Sequence, residues 1–222
     1  MSIATLSHNL RGLVLEDIDW KTYSRLLKAF EERPGIRLTY DRGALEIMPL
    51  LEHDIDGRFL GRLVVTLTEE LEFPVLSGGS TTLRRQLHQR GIEADECFWI
   101  ANEPRMRGRR ALNLQRDPPP DLAVEVDVTS SSLDRLDIYA TLRVPEIWRL
   151  DGDELGFLGL QPNSTYAVIS RSLSFPNVSP ADLAPFLENR LRTDENAVIR
   201  AFRKWIREHL VPPKPKRKRK PS

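Results

Sequence analysis

The sequence predicts an α/β protein with a mixed β-sheet flanked by helices, and three observations predict it. Two segments carry apolar residues at helical spacing, one segment alternates in the manner of a buried strand, and that strand runs straight into a capped helix. In 120–150, "PDLAVEVDVTSSSLDRLDIYATLRVPEIWRL", Leu122, Val124, Val126 and Val128 occupy every second position. The positions between are Asp121, Ala123, Glu125 and Asp127. A strand with one wholly apolar face and one acidic face has to bury the first and find a use for the second.

Each element follows in turn. Residues 19–32 form a helix, with Asp19 as cap and Tyr23, Leu26, Leu27 and Phe30 as its apolar stripe. Residues 35–50 form a β-hairpin turning at "DRG", with Gly43 in the turn. Residues 54–72 form a second helix with Leu60, Leu63, Val64, Leu67 and Leu71 on one side. Strand-like pieces follow in "FPVLSGGSTTLRRQ" and in "ADECFWIANE", the latter apolar on both sides as a central strand is. After a proline-ended loop come the acidic strand, a helix over 131–142 and the strand "PEIWRLD". "GDELGFLGL" and "STYAVIS" make an antiparallel pair, and "SPADLAPFLENRL" and "ENAVIRAFRKWIREHL" make the C-terminal helices. The expected organisation is one folded domain over 1–211, helix and hairpin included, followed by a tail at 212–222.

Composition bounds the function. A lone cysteine, Cys97, precludes an internal disulfide, and the start lacks the basic and apolar regions of a signal peptide, so a cytoplasmic protein is expected. No apolar run is long enough to cross a bilayer. The net charge of +1 conceals an asymmetry, because the tail holds six cations: Lys214, Lys216, Arg217, Lys218, Arg219 and Lys220. Without those six, residues 1–211 carry five net negative charges. A segment so charged and so poor in apolar residues buries nothing and is expected to be disordered. It serves either as a solubilising end or as a weak binder of polyanions, most simply nucleic acid.

The acids of the strand admit two readings, an ordinary solvated face or a cation site. Adjacent carboxylates about 6.6–7 Å apart on one face repel unless a cation sits between them. Ser131 followed by Asp134 fits a capping box, so free backbone N–H groups lie near the acids. Hard oxygen ligands beside an anion site suit Mg²⁺ holding a phosphate. Asp95, in an otherwise apolar strand, needs a partner or a metal unless it lies at an exposed edge. Arg135, one turn into the helix with Tyr139 at i+4, either touches a bound phosphate or pairs with a surface acid. The four histidines have no zinc-like spacing, no glycine pattern suggests a nucleotide loop, and Cys97 is expected in the core.

"GALEIMPLLEHD", "GGSTTLRRQLHQRGIEADECFWIANE" and "PDLAVEVDVTSSSLDRLDIYATLRVPEIWRLD", in this order, resemble the Uma-type family of bacterial restriction endonucleases, within the PD-(D/E)XK phosphodiesterase superfamily. The resemblance spans about residues 10–210. It implies a restriction-endonuclease-like core, a mixed sheet flanked by helices, with Mg²⁺ or Mn²⁺ between acids of adjacent strands. By position, Asp95 matches the first metal-binding acid, Glu125 the second, and Glu52 an acid on the first core helix. Asp127 stands where the superfamily has its lysine, and joins Asp95 and Glu125 as a candidate ligand. Uma-type proteins place the lysine in the next helix, at Arg135 here. Arginine keeps the charge but is larger, forked and never deprotonated. The resemblance implies a metal-dependent DNA endonuclease with DNA as partner; no membrane association is expected, and a homodimer is one assembly open to the chain. The alternative is a catalytically weakened nucleic-acid-binding or regulatory module on the same fold.

Overall fold

The computed structural model describes residues 13–30, 35–49, 54–126 and 133–212. Among them, eleven strands fall into two sheets and six α-helices pack around these.

The first sheet grows from the hairpin. Strand β2 (Ile36–Asp41) pairs antiparallel with β3 (Ala44–Pro49) through a turn at Arg42 and Gly43, both at positive φ. Glycine takes that conformation freely, as a tight hairpin turn requires. β1 (Leu13–Leu15) joins β3, while β6 (Arg90–Glu93) joins β2 and β5 (Thr82–Arg85) joins β6, giving the order β1-β3-β2-β6-β5. Helix α1 (Trp20–Phe30) lies against this sheet. Asp19 caps it by accepting from Thr22 N at 2.7 Å, and Tyr23 stacks on Tyr40 with ring centroids 4.6 Å apart.

The second sheet is mixed. Its order is β11-β10-β9-β8-β7-β4. Here β4 is Leu76–Ser77, β7 Glu96–Trp99, β8 Leu122–Val126, β9 Glu146–Asp151, β10 Glu154–Leu160 and β11 Tyr166–Ile169. Only β8 and β9 run parallel, joined by α4 (Arg135–Leu142). The hairpin belongs to a sheet of its own beside the mixed one, because β2 finds its partner in β6, and β6 in β5, rather than in the acidic strand. The strand expected over 94–103 is shorter, starting at Glu96, and Asp95 occupies the bend that carries the chain from the first sheet into the second.

The mixed sheet buries both faces. Leu122, Val124 and Val126 face α2 (Asp54–Glu70), α5 (Pro180–Asn189) and α6 (Glu195–His209), in a core with Leu60, Leu63, Val64 and Leu67. Ala123 and Ile147 face the other way, onto Ile138, Tyr139 and Leu142 of α4. α4 also touches β5 and β6, so it is wedged between the two sheets. Cys97 lies in this second core, and burial pushes its thiol up to about 12. No helix among the described residues is long and apolar enough to cross a membrane.

The helix expected from Ser131 begins, as described, at Arg135. Its cap is Asp134, which accepts from Asp137 N at 3.0 Å, so Arg135 is the first helical residue rather than one turn in. The capping box through Ser131, together with Asp127 and Glu52, lies outside the described residues, as do the tail cations Lys214, Lys216, Arg217, Lys218, Arg219 and Lys220.

Gly91 of β6 faces Tyr23 so closely that an added Cβ would collide with its hydroxyl and lie 2.9 Å from its Cζ. Overpacking of this kind costs about 1–3 kcal/mol. Gly91→Ala is therefore expected to lower the unfolding free energy from a urea titration by that amount, through a lower midpoint with the slope unchanged.

Candidate active site

Glu125 is the fourth residue of β8 and only 7 % exposed. Its neighbours along the strand face the α2 core, so strand alternation turns its carboxylate to the α4 side. There Arg135 meets it with a two-pronged contact: Nε donates to Oε2 and Nη2 to Oε1, both at 2.9 Å. The Tyr139 hydroxyl, one helical turn further on, also donates to Oε1. The i, i+4 spacing of Arg135 and Tyr139 brings both donors onto one acid. The same guanidinium donates through Nη1 to Thr39 Oγ1 and through Nη2 to the Glu93 carbonyl, each at 3.0 Å. One side chain thus joins β8 and α4 to the hairpin sheet.

Asp95 has its own partners. One oxygen pairs with Arg37 of β2 and the other accepts from Val126 N at 2.6 Å. Its Cβ packs close to Gly57 of α2, on the side that Val126 faces. Asp95 and Glu125 therefore flank the end of β8, the first towards α2 and the second towards α4. Glu93 links the two halves. Its carboxyl accepts from Thr82 at 3.2 Å and feels the charges of both Arg37 and Arg135. Glu46, fully buried and directly opposite Thr39 in the hairpin, adds a further negative charge towards Arg135.

Burial and charge act against each other here. Burial draws the Arg135 guanidinium down, but Glu125 beside it holds it above the ordinary arginine value. The Tyr139 hydroxyl is raised, first by burial and then by the Glu125 charge it faces. Burial pushes the Glu93 carboxyl above its ordinary value of 4.5, against the pull of the Thr82 hydroxyl and the Arg37 charge.

Asp95, Glu125 and Arg135 are brought to one end of β8, while Glu52 and Asp127 lie outside the described residues. The arginine does not pair with Asp134 or Asp137 on the surface, since its fork is spent on Glu125. Asp121 is a structural residue: it accepts from Ile100 N, Asn102 N and Asn102 Nδ2 at 2.7, 2.9 and 2.6 Å and so fixes the turn after β7. Arg37, Thr39, Glu46 and Glu93 went unforeseen. The one signal for them is a polar row, Arg37 and Thr39 on β2 with Glu46 across from Thr39, inside an otherwise apolar hairpin. Among the described residues no three His, Cys, Asp or Glu side chains are grouped to grip a metal ion.

The family model for Uma2, described as "Putative restriction endonuclease", matches residues 20–190. The chain belongs to this family. The matched region takes in both sheets apart from β1, together with the whole of the Glu125–Arg135 arrangement. No curated protein matches the sequence.

Removing a partner from a buried ion pair leaves a bare charge and costs about 3–5 kcal/mol, whereas removing one neutral donor costs about 1–3 kcal/mol. Arg135→Ala is therefore expected to destabilise the Uma2-family fold more than Tyr139→Phe does, in parallel denaturant titrations. A second expectation concerns pH. Because the folded-state value of Glu93 is raised, the folded chain binds more protons than the unfolded one from pH 4.5 upward, so stability falls across that window as pH rises. Glu93→Gln should flatten that fall in thermal melts taken across the window.

Proposed function

We propose that this Uma2-family protein is a metal-dependent DNA endonuclease whose reaction centre lies at the end of β8. The observation that carries the reading is the pairing of two buried acids, Asp95 and Glu125, with arginines at the junction of the two sheets. Carboxylate oxygens are hard donors of the kind Mg²⁺ or Mn²⁺ takes, and since no three acids are grouped among the described residues a further ligand beside Asp95 and Glu125 is required. Asp95 and Glu125 would hold the ion, with Asp127 as a third ligand and Glu52 as a further acid nearby. When bound, such an ion polarises a phosphate oxygen and lowers the pKa of a coordinated water.

The protein's own side chains do the rest. Arg135, charged at any accessible pH, offers a fixed positive charge where a phosphate gathers negative charge in the transition state. Tyr139 orients the Glu125 carboxylate by its hydroxyl, and Arg37 does the same for Asp95. The tail cations, Lys214 to Lys220, add sequence-independent attraction to the DNA backbone.

One observation favours the second reading, a nucleic-acid-binding module with weakened chemistry. Arg135 engages both oxygens of Glu125, where a lysine ammonium would be a single compact charge. An ion has to share those oxygens with the guanidinium.

Thermal melts with and without Mg²⁺ or Mn²⁺ separate the readings. The nuclease reading expects the divalent ion to raise the melting temperature, since it discharges repulsion among Asp95, Glu125 and Asp127. Glu125→Gln should abolish most of that rise. Arg135→Lys should increase both the rise and the cleavage of plasmid DNA, and Arg135→Ala should cut cleavage. A divalent-ion shift that is the same in wild type and Glu125→Gln would falsify the site, and cleavage that is equal in wild type and Arg135→Ala would leave Arg135 without a catalytic role.

A further inference from the structure

We infer that an arginine ridge on the segment 103–117 is a docking surface for the phosphate backbone of duplex DNA, outside the scissile phosphate. The inference rests on the nuclease reading for its choice of polyanion. Helix α3 (Glu103–Met106) and the loop after it carry five exposed arginines: Arg105, Arg107, Arg109, Arg110 and Arg116. The same segment holds only two acids, Glu103 and Asp117, both buried. Both are already engaged. Glu103 takes Arg107 at 2.7 Å, and Asp117 accepts from Asn113 N at 2.9 Å and stands 3.8 Å from Arg109. Arg105, Arg110 and Arg116 are left pointing to solvent with no ion pair among the described residues.

The segment is held in place. Met106 and Leu114 are buried in the α4 core, Arg85 Nε donates to the Leu114 carbonyl at 2.8 Å, and Trp99 Nε1 donates to the Pro118 carbonyl at 3.0 Å. A fixed scaffold spares the ridge much of the ordering that a mobile basic tail undergoes on binding. The ridge also joins the reaction centre through α4. Arg85, which anchors the loop, is close enough to Arg143 for the two charges to repel. Arg143 is exposed at the C-terminus of α4, and Arg135 opens the same helix. Eight helical residues span about 12 Å, so the cations begin about one helix length from Arg135. Duplex DNA carries a charge about every 1.7 Å of its axis, so a duplex seated at Arg135 presents several further phosphates over that distance. Arginine suits them through its planar fork.

The test uses the full chain in EDTA, which prevents cleavage, with a fluorescent blunt DNA duplex titrated by anisotropy across a salt series. Each phosphate contact adds about 0.9 to the slope of log affinity against log salt. The variant R105Q/R110Q/R116Q should therefore lose about 2–3 units of slope relative to wild type. The three single variants should lose just under one unit each, with the melting temperature of wild type retained. A triple variant with the wild-type slope overturns the ridge, as does an equal or larger loss of slope on an RNA duplex bound more tightly than DNA. A wild-type chain that cleaves nothing with Mg²⁺ or Mn²⁺ overturns the nuclease reading alone, because the slopes are measured without metal.

Discussion

A carboxylate on a strand covered from both sides cannot stay charged without a cation within reach, and β8 is such a strand. Its five residues are all buried, four of them apolar. Glu125 is tolerable there because Arg135 forks onto it and Tyr139 adds a third donor. That demand fixes more than one side chain. It sets where α4 begins, which way its first turn faces, and how near the hairpin sheet must come, since the guanidinium also reaches Thr39 and the Glu93 carbonyl.

Arg90 repeats the device one layer away. It is 5 % exposed and donates to Asp41 of the hairpin and to Asp137 of α4. Two buried arginines therefore tie one helix to two sheets. Buried ion pairs of this kind seldom add much stability over apolar packing, but losing one partner is costly. They act here as positional constraints, and the apolar faces of α2, α5 and α6 supply the burial on the far side of the mixed sheet. The consequence for the site is that Glu125, Arg37 and Arg135 are held by packed elements, while Asp95 sits on the bend between the two sheets.

The same arrangement bears on chemistry. A phosphodiesterase centre needs acids near a fixed positive charge in a partly dehydrated place. At the end of β8, Asp95 lies towards α2 and Glu125 towards α4, with Glu93 touching the field of both arginines. Family membership gives the nuclease-like frame.

By itself the sequence determined the local elements and the residue types that line the acidic strand. The alternation of Leu122, Val124 and Val126, the stripe of Leu60, Leu63, Val64 and Leu67, and the Asp19 cap are contacts between residues close in sequence, which periodicity records. The candidates Asp95, Glu125 and Arg135 were legible from their residue types and order. Which sheet the hairpin would join was not, because strand pairing between residues 40 and 91 leaves no local mark. Nor were the partners. Arg37 meets Asp95, and Thr39 meets Arg135 across 96 positions, only because α4 is wedged between the sheets. Only the tertiary structure could decide that Arg135 turns inward rather than to solvent, since the choice depends on how deeply Glu125 is buried and on what else is there to neutralise it.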